Sequence, residues 1–152
     1  MNRSWIRAAA VLVLLALPRA AAAIDPIYSA GFLDPVAIAG ADPVAYFTDG
    51  AYVPGSAAHE ATWKGATWRF ASAAHRAAFL ADPERYAPQY GGYCAFAVAG
   101  GHTARIDPEA WTVVDGRLYL NYSRAIRAKW AADREGMIAR ADANWPGLLA
   151  GD

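Results

Sequence analysis

The sequence predicts an α+β fold in which antiparallel hairpins carry helices on one side. Two turn signals and one periodic stretch predict it. Lys64-Gly65 sits between Glu60–Trp63 and Ala66–Phe70, and Asp115-Gly116 sits between Trp111–Val114 and Arg117–Asn121. A two-residue link ending in glycine suits a tight hairpin turn, because both of its residues must adopt positive φ. Beyond Ser123, Ile126, Trp130, Met137, Ile138, Ala141 and Trp145 recur at intervals of three, four and seven, the spacing of one helical face.

The elements follow in chain order. Arg3 and Arg7 precede the apolar run Ala8–Leu17, and Pro18 and Ala21-Ala22-Ala23 follow it. This is the pattern of a secretory signal peptide over residues 1–23. The run is too short to span a bilayer, so no stable membrane anchoring is expected after cleavage and the protein is expected to be periplasmic or secreted. Residues 24–39 read as an irregular lead-in with a short strand at Val36-Ala37-Ile38. Asp42-Pro43 reads as a capped turn into Val44–Phe47. In the first hairpin Trp68 and Phe70 share one face. Ser72 is placed to cap a helix over Ala73–Ala81, and Asp82-Pro83 to start a further turn of helix. The long helix after Ser123 is expected to break near Gly136 and stop at Pro146-Gly147, with Trp130, Met137 and Trp145 facing the sheet.

Composition narrows the function. The 152 residues carry 14 basic and 14 acidic side chains, and without Arg3, Arg7 and Arg19 the remainder is net acidic. No basic patch appears, which argues against nucleic acid as a partner. One cysteine, Cys94, excludes an internal disulfide and a Cys-x-x-Cys couple. No Ser/His/Asp motif and no paired carboxylates stand out, so the sequence leans away from an enzyme.

Cys94 lies in Gln89-Tyr90-Gly91-Gly92-Tyr93-Cys94-Ala95-Phe96-Ala97. As an extended segment it would put Cys94, Phe96 and Val98 on one face. The thiol is open to three readings: a metal or ligand contact, a single-thiol redox or peroxide-reactive group, or an inert buried residue of a structural or interaction domain. Gly91 and Gly92 would let a ligand approach the backbone near Tyr93 and Cys94. Cys94, His102 and His75 form the candidate set for a soft metal such as copper or zinc. Tyr90, Tyr93, Phe96, Trp111 and Tyr119 are either pocket lining or core.

Asp42-Pro43-Val44, the Trp63–Phe70 hairpin, Phe70-x-Ser72, Phe79-Leu80-Ala81-Asp82-Pro83-Glu84-Arg85-Tyr86 and Gly91-Gly92-Tyr93-Cys94 together resemble the YHS domain family. Within it they are most similar to the exported "YHS domain-containing (seleno)protein" group. The resemblance implies a YHS-like domain over residues 40–150 and a small metal-associated binding module, with a metal ion or small molecule as partner. It also implies a difference. The metal-type module has cysteines at the positions of Ala45, Ala71 and His75, so the usual thiolate set is missing here.

Overall fold

The computed structural model describes residues 23–33 and 35–151. The expected signal segment, apart from Ala23, lies outside them. Among the described residues the architecture is α+β: a four-stranded sheet and a separate two-stranded hairpin, with six α-helices packed around them.

The lead-in is more ordered than its sequence suggests. Strands β1 (Ser29–Ala30) and β2 (Val36–Ala37) pair antiparallel. Ile38, expected to end the second strand, instead starts a tight turn with positive φ. The backbone accounts for this pairing, since short strands with little side-chain pattern can still fill ladder positions. Asp42 precedes helix α1 (Ala45–Thr48) and accepts from the Val44 and Ala45 N–H groups at 2.9 and 3.3 Å.

Strands β3 (Ser56–Trp63) and β4 (Ala66–Phe70) form the first hairpin, with Lys64 and Gly65 at φ 49° and 76°. β2 adds to β4 in parallel, giving the order β1-β2-β4-β3. Trp68 and Phe70 are fully buried on one face, as their spacing requires. Helix α2 (Ala73–Ala81) is capped by Ser72 Oγ on the His75 N–H at 3.1 Å, and α3 (Pro83–Tyr86) starts at Asp82. Phe79 on α2 packs into Trp68 and Phe70, with ring centroids 5.1 Å away in both cases. These rings centre the first core cluster.

Helix α4 (Ala95–Ala99) follows the turn Gln89–Gly92. Strands β5 (Asp107–Val114) and β6 (Arg117–Asn121) form the second hairpin, with Asp115 and Gly116 at φ 50° and 71°. Ser123 caps helix α5 (Arg124–Ala132), and α6 (Arg134–Ala150) completes the chain. Trp130 is fully buried and stacks on Tyr119 at 5.2 Å, while Met137 and Trp145 are partly buried in the same second cluster.

Two boundaries differ from the periodic reading. The break falls at Asp133, not Gly136. The Asp133 carboxylate lies over the first turn of α6, in the space that a Cβ at position 136 would fill, so Gly136 lets the helix continue beneath it. The helix also runs through Pro146 to Ala150 and stops at Gly151, which is left-handed at φ 76°. A proline removes its own donor and crowds the carbonyl one turn back, and packing of Trp145 and Leu148 on the second cluster offsets that cost and holds the last turns in place.

Candidate functional site

The three positions where the resemblance would put thiolates come together in space, around a carboxylate. Asp42 is fully buried. Its Oδ1 takes the Ala45 N–H, and its Oδ2 takes the Ala71 N–H at 2.9 Å and the His75 Nδ1 donor at 2.6 Å. His75 Nε2 lies 3.4 Å from Thr48 Oγ1. This corner is a closed hydrogen-bonded joint between α1, the end of β4 and α2. A buried carboxylate with every lone pair engaged has no capacity left for a ligand.

Cys94 is 1 % exposed. It precedes α4 and is not in an extended segment, so Cys94, Phe96 and Val98 do not share a face. The glycine turn before it redirects the chain into the helix. Sγ accepts from the Tyr122 N–H at 3.3 Å and donates to Asn121 Oδ1 at 3.7 Å. Asn121 Oδ1 also takes the Phe96 N–H at 3.1 Å. The thiol ties α4 to the end of β6. His102 sits in an exposed loop, and its N–H bonds the Ala97 carbonyl at 3.2 Å. Cys94, His102 and His75 are therefore not assembled. Among the described residues no three His, Cys, Asp or Glu side chains form a metal-holding group. The donors in the Asp42 corner do not fit a thiolate-held copper or zinc ion, because two of the three positions are alanines and the third is bonded to Asp42.

Of the four residues expected to bind a ligand, only Gly91 reaches an open cavity. Gly92 packs on Ile38 and Pro88. Tyr93 donates its hydroxyl to the Asp25 carbonyl at 3.1 Å and packs its ring on Tyr28 and Trp145. Burial raises the pKa of its phenol. Gly91 has φ 59°, and its carbonyl accepts from the Tyr28 N–H at 2.9 Å. A side chain there would run into the Pro26 carbonyl, so only glycine allows the lead-in to cross this turn.

The crossing closes one side of a cleft of about 480 Å³. Pro26 and Ile27 supply that side, and Trp63 and Lys64 from the first hairpin supply another. Tyr90, Arg117, Asp142 and Trp145 line the remainder. Lys64 is paired with Glu84 at 2.7 Å and lies 4.3 Å above the Trp63 ring. Tyr90 donates its hydroxyl to Asp142 Oδ1 at 2.8 Å. Burial, and then that hydrogen bond, push the Tyr90 phenol far above its usual range. Tyr119 is also raised by burial, against a lowering pull from the Arg117 guanidinium. Of the aromatic residues singled out in the sequence, Tyr90 lines the cleft. Tyr119 belongs to the core beneath it, and Trp111 packs on Tyr46 at 5.3 Å. The sequence reading missed Lys64, Arg117, Asp142 and Trp145. The one local hint was a cation in or immediately after each hairpin turn.

The YHS domain family model matches residues 44–90. Residues 44–90 carry the YHS domain. The match takes in Ala45, Ala71 and His75, ends at Tyr90 on the cleft, and leaves out Cys94, His102, Arg117 and Asp142. The groups that bond Asp42 therefore lie in the matched segment, Asp42 itself stands just before it, and the cleft lies where that segment meets the C-terminal hairpin and helix. No curated protein and no solved structure matches the chain.

Proposed function

We propose that this protein is an exported YHS domain, of the kind grouped as "YHS domain-containing (seleno)protein", that binds a small organic molecule in the Gly91 cleft and not a thiolate-held metal. The observation that carries the reading is the cleft itself. Its volume of about 480 Å³ falls in the range of small-molecule sites, and its walls combine indole rings with charged groups. The buried, doubly engaged Sγ of Cys94 speaks against thiol redox or peroxide chemistry, which needs an accessible thiolate.

A fragment screen followed by ¹H–¹⁵N NMR tests this. Hits are expected to shift the amides of Lys64, Gly91 and Arg117. Hits confined to the surroundings of Cys94 or His102, or stoichiometric uptake of zinc or copper, would overturn it. Export has its own check. Intact mass of periplasmic protein is expected to show loss of residues 1–23, and recovery of the full-length chain in membranes would refute it.

A further inference from the structure

We propose that the cleft recognises a zwitterion, specifically an α-amino acid with an aromatic side chain; this rests on the reading of the cleft as a small-molecule site. Arg117 and Asp142 both line the cavity. Among the described residues neither forms an ion pair, although Lys64, Arg69, Arg124 and Arg140 all do. Asp142 is held by the neutral Tyr90 hydroxyl at 2.8 Å, and Arg117 carries its charge near Tyr119. The two tyrosine rings are neighbours, 6.0 Å between centroids. One carboxylate and one guanidinium thus line the same cleft.

One neutral hydrogen bond leaves most of the Asp142 carboxylate's capacity free, and Arg117 lines the cleft with no ion pair among the described residues. A guanidinium has five N–H donors in a planar fork that matches a carboxylate, and a carboxylate accepts at two oxygens. An anionic ligand would meet Arg117 but also face Asp142 as a like charge. A cationic ligand would meet the reverse. Only a ligand carrying both charges satisfies both groups, and the mismatch rejects the others. The Lys64–Glu84 pair at the rim is already matched and adds no net preference. Trp145 and Leu149 supply an apolar wall for the side chain, where a ring gains from offset or edge contact.

NMR titration of the purified protein with L-tryptophan, tryptamine, indole-3-propionate and indole tests the proposal. Tryptophan is expected to shift the amides of Gly91, Arg117 and Asp142. It is expected to bind at least about tenfold more tightly than either singly charged analogue. Arg117→Gln should bring tryptophan down to the level of tryptamine while leaving tryptamine binding no weaker. Asp142→Asn should do the same with respect to indole-3-propionate. Asp142→Asn keeps an acceptor for the Tyr90 hydroxyl, and unchanged spectra away from the cleft confirm the fold of both variants. If the analogues shift the cleft amides as tightly as tryptophan does, the zwitterion proposal falls and the small-molecule reading stands. If none of the four compounds shifts those amides, the zwitterion proposal falls, and the fragment screen decides the small-molecule reading separately.

Discussion

Asp42 and Asp142 carry the same carboxyl group in opposite circumstances. Asp42 is fully buried and accepts from three backbone N–H groups and the His75 ring. Asp142 lies on the exposed side of α6 and accepts from one tyrosine hydroxyl. The first is saturated and joins three elements. The second has lone pairs to spare beside an open cleft. Hydrogen-bond satisfaction thus separates a residue that holds the fold from one that can meet a ligand. By that measure Cys94 belongs with Asp42, since its sulfur both donates and accepts inside the core. The resemblance draws attention to the Asp42 corner and to Cys94, yet the spare capacity lies at the edge of the matched segment.

The largest effect that can sharpen this contrast is Asp42→Ala. It strands three N–H groups and the His75 imidazole, and should destabilise by about 3–5 kcal/mol in urea denaturation. A loss under about 1 kcal/mol would break the comparison. Cys94→Ser comes next, at about 1–3 kcal/mol, and native-state alkylation of Cys94 should be slow at every pH while the unfolded chain reacts at the rate of a free thiol.

A smaller effect appears in alkali. Burial raises the Tyr90 and Tyr46 phenols above the ordinary 10.0 in the folded state. Above that pH the unfolded chain loses these protons while the native state keeps them. Stability is therefore complete below pH 10 and falls as pH rises beyond it. Thermal melts should show the fall between about pH 10 and 11.5, and Tyr90→Phe should flatten it. The smallest effect is Asp142→Asn, which should leave stability within about 0.5 kcal/mol of the parent. A large loss there would make Asp142 structural and erase the distinction.

What was legible in the sequence is what local chemistry dictates. Both two-residue turns, the Ser72, Asp82 and Ser123 caps, and the burial of Trp68, Phe70 and Trp130 each depend on residues a few positions apart. The misses depend on distant partners. The lead-in pairs because β4 offers it a ladder, and α6 survives Pro146 because Trp145 and Leu148 have a surface to cover. The Cys94 segment turns helical because the end of β6 receives its thiol. The cleft is the extreme case. Pro26, Lys64, Tyr90, Arg117 and Asp142 come from separate stretches of chain, and nothing in any one stretch announces the others. The candidate site was legible only at Gly91, whose pairing with Gly92 marks a turn that something must cross.

Lys64 and Arg117 owe their positions to the two type I′ turns. Lys64 is itself a turn residue, and Arg117 is the first residue after the other turn. Turns of two residues leave no loop to swing. The backbone that carries these side chains is already in place, and little backbone ordering entropy would have to be spent on association. Binding should accordingly be fast and free of a slow closing step, and the backbone of the complex should superimpose closely on that of the free protein.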